Sequence, residues 1–298
     1  MERLASTGQR EKQAVALASL VAAVGLTSFK LVVGSATGSL GILAEAAHSG
    51  LDLAASAMTY LAVRYSGRPP DRTHLYGHHK MENLSALFET VLLLITCAWI
   101  AREAAHRLVL HRIDVEVTVW SFVVMATSIA IDFRRSRALA RAARKYNSQA
   151  LEADALHFQT DIWSSAVVIL GLVAVVVGDW FPNLAVLHNG DAVAALGVSA
   201  IVVWVSLRLG RRTVDALLDS APAGMTERIV AAVEGIPGVK NCHGLRIRPS
   251  GPVLFIDLHV LVDGGQTLAA AHELTETIEG AIRQLAPEAD VTVHPEPF

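Results

Sequence analysis

Six long apolar runs dominate the first two thirds of this 298-residue chain, at about 13–33, 40–63, 83–101, 117–133, 155–178 and 190–207. A helix of about 20 residues, rising ~1.5 Å per residue, crosses a hydrocarbon core of ~30 Å. Each run is long enough, or nearly so, to do that. With 52% hydrophobic and only 18% charged residues, and a mean hydropathy of +0.42, the chain belongs with membrane proteins. The opening "MERLASTGQREK" is polar and leads into a full-length apolar run, so it does not read as a secretory signal peptide.

Loop charge sets the expected orientation. Arg3, Arg10 and Lys12 precede the first run, while Arg64, Arg68, Arg72 and Lys80 follow the second. Six bases between Arg134 and Lys145 follow the fourth, and Arg208, Arg211 and Arg212 follow the sixth. The opposite connections "GSATGSL" and "GDWFPNLAVLHNGD" carry none; Arg102, Arg107 and Arg112 after the third run weigh the other way. The positive-inside rule then puts both termini in the cytoplasm, with Trp120 and Trp180 near the outer interface. Anionic lipid accounts for the basic loops, and nucleic-acid binding has little support.

After "LLDSAP" the texture changes. "MTERIVAAVEGI" has helical periodicity, "KNCHGLRIR" and "VLFIDLHVLV" read as strands around a Ser-Gly-Pro turn at 250–252, "TLAAAHELTETIEGAIRQL" as a helix and "DVTVH" as a strand. The expectation is an all-α six-helix transmembrane domain followed by a cytosolic α+β domain, αββαβ and ferredoxin-like. The predicted boundaries are a tail at 1–12, the spans at 13–208, a linker at 209–222 and the cytosolic domain at 223–298. Two distant cysteines, Cys97 and Cys242, imply no disulfide framework.

Polar residues inside apolar runs carry the chemistry. "AEAAHSGLD" at 44–52 and "ADALHFQTD" at 153–161 share Ala-acid-Ala-x-His-x-x-x-Asp. Residues four apart share a helix face, so His48 with Asp52 and His157 with Asp161 each present an imidazole beside a carboxylate. One such residue alone is as well explained by a hydrogen bond between helices. Two matched pairs point to a metal site, because an ionised Asp at a helix centre costs about 3 kcal/mol and is functional by default. Two His and two Asp suit tetrahedral Zn²⁺, and two carboxylates neutralise a dication. Glu45 and Asp154, each three residues before its histidine, are candidates to orient the imidazoles.

The segments "LAEAAHSGLD", "RTHLYGHHKMENLSAL" and "LEADALHFQTDIWSS" resemble the signatures of the cation diffusion facilitator family, and the resemblance covers nearly the whole chain. It implies a homodimeric, proton-coupled exporter of divalent metal in the plasma (inner) membrane, with His48, Asp52, His157 and Asp161 as transport site. Many bacterial relatives have Asp where His48 stands, and Glu45 is more usually Asp or apolar. The basic "RRSRALARAARK" replaces the His-rich loop of eukaryotic zinc members, as in prokaryotic ones. A two-His, two-Asp set leans to Zn²⁺ over Mn²⁺, with Cd²⁺, Co²⁺ and Fe²⁺ as alternatives. Protons compete with metal for the same atoms, which is the basis for antiport.

Asp71, His74 and His78 can be read from their spacing as a metal loop or a solvated one; the resemblance implies a second metal site there. It also implies a Lys80–Asp219 interlock at the dimer neck and a cytosolic metal cluster of His243, His259, His272, His294 and Glu296. Strand alternation puts His294 with Glu296, and Asp257 with His259, and turns Cys242 away from His243. Zn²⁺ is expected as substrate and as a regulatory or structural ion at the cytosolic sites, with no organic cofactor. A membrane metallohydrolase is disfavoured, since four ligands close the sphere and no His-Glu-x-x-His occurs. A non-transporting metal sensor or scaffold is the other alternative.

Overall fold

The computed structural model describes residues 2–110, 119–180 and 190–298. Over its described residues each apolar run lies in one long helix: α1 (Glu2–Thr37), α2 (Leu40–Ser66), α3 (Lys80–Leu110), α4 (Val119–Tyr146), α5 (Gln149–Trp180) and α6 (Gly190–Leu217). The helices outrun the apolar runs because strong helix formers continue past them, as in the Ala-, Arg- and Leu-rich end of α4. Expectations that rest on Arg112, the 181–189 connection and the Trp180 ring fall outside the described residues and side chains. At the α4–α5 junction Asn147 adopts a φ of 48°, and the Ser148 hydroxyl accepts from the Leu151 N–H at 3.4 Å.

The bundle is inside out for a protein in water. Val21, Val32, Ile95, Trp99 and Trp204 are exposed, while Ser19, Lys30, Ser56, Thr59, Glu89 and Arg135 are buried. Apolar surface outward and polar groups inward is the distribution a hydrocarbon surrounding selects. Among the described residues, Thr7–Thr37 of α1 and Lys80–Arg102 of α3 are by length and composition apolar enough to cross a membrane. α1 packs along α2, α3 along α6, and α4 along α5, while α5 also lies against α3. At Gly210 the α3–α6 approach is close enough that a Cβ would lie 2.9 Å from Thr90 Cγ2.

The C-terminal part follows the order read from sequence: α7 (Met225–Glu234), β1 (Val239–Ser250), β2 (Val253–Val262), α8 (Leu268–Leu285) and β3 (Asp290–Pro297). β1 is antiparallel to β2, and β3 returns through α8 to lie parallel to β2, giving the order β1-β2-β3. Alternate residues of β2 (Ile256, Leu258, Val260 and Val262) are buried with Ile229 and Val233 of α7 and Ile278 and Ile282 of α8. Both helices therefore cover one sheet face, and the intervening residues face the other.

The β1–β2 turn sits against the start of α3. Gly251 has a φ of +55°, its N–H donates to Asn83 Oδ1 at 2.8 Å, and a Cβ there would lie 2.6 Å from the His79 carbonyl oxygen. Asn83 Nδ2 also donates to Gln149 Oε1 at 2.8 Å, so one side chain ties the turn to both α3 and α5. Gly251→Ala should cost about 1–2 kcal/mol from the left-handed backbone alone, and more from the contact with His79. Hydrogen exchange on the full chain should show faster exchange at 78–83 and 249–253; unchanged exchange would mean the close approach is not needed for docking.

Candidate metal centre

The two His-x-x-x-Asp helices meet. His157 Nε2 of α5 lies 3.1 Å from Asp52 Oδ1 of α2 and 3.7 Å from Asp161 Oδ2 one turn along its own helix. Ligand atoms of Asp52, His157 and Asp161 all fall within 4.8 Å of one another. His48 stands outside this group: its Nε2 is 4.0 Å from Asp52 Oδ1 and its side chain is 33% exposed. The structure thus brings three of the four sequence-expected residues together, leaving His48 at the rim. Two carboxylates and an imidazole nitrogen converging on one point form a donor set suited to a borderline divalent cation.

A buried polar layer surrounds the three. Arg135 of α4 donates to Ser19 of α1 at 3.2 Å, to Ser56 of α2 at 3.0 Å and to Asp132 at 3.1 Å, and its guanidinium lies 3.6 Å from the centroid of the Phe158 ring. Asp154 is buried and accepts from the Ser19 hydroxyl at 3.4 Å, behind His157. Glu45 instead turns outward to Lys30, whose ammonium lies 3.0 Å from it and 2.8 Å from Ser49 Oγ. A small cavity lined by Thr27, Ser49, Asp52, Asp132 and Arg135 adjoins the site.

Nearer the junction with the C-terminal domain, Glu82 is fully buried and gathers three elements. It accepts from Lys12 of α1 at 2.6 Å, from Ser66 of α2 at 2.7 Å and from Ser148 before α5. Lys80 donates to Asp219 at 2.8 Å within one chain, where both side chains are partly exposed. Nothing in the repeat marks Glu82, Lys30, Glu89 or Asp132, and Arg135, counted by sequence among the loop bases after the fourth run, is buried in the bundle. The available signal was simple: each is an ionisable residue in or beside an apolar run.

Outside the bundle, Asp71, His74 and His78 come within 4.8 Å of one another. Asp71 Oδ1 accepts the backbone N–H of His74 at 2.7 Å and of Thr73 at 2.8 Å, and those bonds hold its pKa well below the usual carboxylate value. Asp71 Oδ2 lies 3.3 Å from His78 Nε2. In the sheet, His243 pairs with His259 and His259 with His294 across the three strands. Glu296, two residues past His294, lies 2.7 Å from His259 Nδ1 and 3.2 Å from His243 Nε2, with His294 Nε2 at 3.9 Å. His272 is elsewhere, exposed on the outer face of α8, 3.6 Å from Glu276. Cys242 enters the core on the opposite face, where burial pushes its thiol pKa up.

A hydrocarbon-facing bundle with a polar interior and convergent cation ligands defines a membrane protein that handles cations. Residues 16–218 match the family model for the cation efflux transmembrane domain, and residues 221–298 match that of the cation efflux protein cytoplasmic domain. Cation-efflux pump FieF of Cronobacter sakazakii is 34% identical over 289 residues, covering 95% of this chain and 91% of that protein. The FieF of Klebsiella pneumoniae is 33% identical over 287 residues, covering 95% and 91%. Among solved structures, a MamM CTD variant is 32% identical over 25% of this chain and 94% of its own, with a TM-score of 0.24. The chain belongs to the cation efflux, or cation diffusion facilitator, family. It is a membrane transporter of cations and not an enzyme.

Two outcomes follow from these geometries. Glu82→Ala leaves the Lys12 ammonium buried without its carboxylate, a change expected to cost about 3–5 kcal/mol; thermal unfolding in detergent should fall accordingly. At Glu296, the hydrogen bond to His259 and the nearby His243 hold the carboxyl pKa below its ordinary 4.5. Its stabilising contribution is therefore present above pH 4.5 and is lost as pH falls through the lowered value. Protection factors at β3, referred to the intrinsic exchange rate at each pH, should fall across that acid window in the native chain, and less steeply in Glu296→Gln.

Proposed function

We propose that this transporter exports Zn²⁺ in exchange for protons by alternating access, with Asp52, His157 and Asp161 binding the ion and His48 turning in as fourth ligand. The observation that carries this reading is the convergence of the three ligand groups from α2 and α5 inside the bundle. Two imidazoles and two carboxylates favour Zn²⁺ over ions that prefer all-oxygen sites, and two negative charges balance a dication away from water. Metal needs the imidazole lone pair and ionised carboxylates, so protonation on one side of the membrane releases what loads on the other.

The termini lie in the cytoplasm and the membrane is the plasma (inner) membrane. The C-terminal domain joins two copies, with the Lys80–Asp219 pair at the neck. The Asp71–His74–His78 loop and the His243–His259–His294–Glu296 face bind zinc on the cytosolic side and adjust transport to its supply.

In proteoliposomes with an imposed pH gradient, ⁶⁵Zn uptake should depend on the gradient and fall to the level of empty vesicles in Asp52→Ala and Asp161→Ala. Uptake indifferent to the gradient would overturn antiport, and none in the wild type would favour a sensor. His48→Asp should raise Mn²⁺ transport relative to Zn²⁺ in the same vesicles, as an added oxygen ligand favours the harder ion.

A further inference from the structure

Glu89 of α3 is 0% exposed and belongs to no ion pair among the described residues. Thr59 of α2 donates its hydroxyl to Oε1, and Oε2 has no hydrogen-bond partner. A carboxylate with one hydroxyl donor and no cation is costly to keep ionised in such a place. The helices packed on α3 are α2, α5 and α6. From α5 the ionisable groups acting on Glu89 are Asp154, a buried carboxyl, and His157. α2 presents Thr59; its Asp52 is held by His157, and its Arg64 is exposed. On α6, Arg208, Arg211, Arg212 and Asp215 are all exposed. On α3 itself, Glu82 is two turns away and paired with Lys12. No described cation pairs with Glu89, and the neighbouring Asp154 opposes a second negative charge.

We propose that Glu89 carries a proton on Oε2 while the cation site is empty and gives it up when a cation loads. The transport cycle then exchanges a proton on a residue that is not a cation ligand. The step is a deprotonation: the Oε2–H bond breaks, the electron pair stays on the carboxylate, and the proton passes to water. A dication arriving beside the acid favours its ionised form, and the Thr59 hydroxyl remains to solvate the carboxylate. Glu89 is not among the grouped ligands, and the charge of His157 acts on it from α5, so charge in the site reaches it without direct ligation. The inference rests on the reading that Asp52, His157 and Asp161 bind the cation.

The test is calorimetric titration of the full-length protein in detergent with Zn²⁺, in buffers of different ionisation enthalpy, which counts protons released per ion bound. Glu89→Gln keeps the shape and the Thr59 hydrogen bond. It should bind Zn²⁺ within a few-fold of wild type while releasing roughly one proton fewer per ion. Glu89→Asp, still an acid, should release close to the wild-type number. Equal proton counts in Glu89→Gln and wild type, or the same loss in both variants, would overturn the inference. Independently of Glu89→Gln, zinc-loaded minus zinc-free infrared spectra of wild type should show loss of a carboxylic-acid C=O band that moves in Glu89→Asp; absence of that band overturns it too. Asp161→Ala separates the two claims. If it binds as many zinc ions as wild type, the cation-site reading fails; if it binds one ion fewer per chain while Glu89→Gln matches wild type, only the Glu89 inference fails.

Discussion

The cost of an ionisable group away from water organises this molecule. Two buried charges in the helix bundle, Arg135 and Glu82, draw partners from several helices, and those partnerships do part of the work that apolar packing does in a soluble core. Arg135 joins α4 to α1 and α2, and Glu82 joins α3 to α1, α2 and the start of α5. Because lipid offers no hydrophobic drive between helices, such polar contacts and close approaches like Gly210 against Thr90 specify how the helices sit. Asp52, His157 and Asp161 differ from the others in one respect. Two carboxylates share one imidazole, an arrangement with surplus negative charge that a divalent cation relieves.

The C-terminal domain solves a separate problem by the same economy. Its sheet packs both helices on one face, so strand alternation sends Ile256, Leu258 and Val260 into the core and leaves His259 on the open side. The antiparallel β1–β2 pairing and the parallel β2–β3 pairing both bring a histidine opposite His259. Three imidazoles in one row, with Glu296 beside them, follow from register alone; a shift of one residue would send that row into the core.

Much of this was legible in the chain. Six apolar runs gave six helices, and the αββαβ order followed from periodicity and the Ser250–Gly251–Pro252 turn. The His-x-x-x-Asp repeat named the helices that meet, because spacing on one helix is a local property. What spacing does not contain is the rotation of one helix against another. Glu45 and Asp154 occupy matching places in the repeat, yet Glu45 turns out to Lys30 while Asp154 is buried behind His157. His48 and His157 likewise match, and only His157 joins the cluster. Helix ends lie beyond the apolar runs for a related reason: hydropathy marks where lipid ends, whereas a helix continues as long as its residues favour it.

Helix α3 connects these parts. Within ten residues it carries Lys80 toward Asp219, Glu82 into the α1–α2–α5 junction, Asn83 to Gln149 and Gly251, and Glu89 to Thr59 of α2. Residues 80 and 83 meet the linker and the C-terminal domain, while 82 and 89 face the interior of the bundle. A movement of the C-terminal domain that pulls on Gly251 therefore acts on the same rigid helix that holds Glu89, and through Gln149 on the helix that carries His157 and Asp161. A helix interior deforms little over three turns, so a displacement at its start is carried to Glu89 rather than absorbed on the way. On the reading that the open sheet face binds a cation, that event and the proposed proton exchange inside the bundle would meet in one mechanical element, with no need for contact between the two sites.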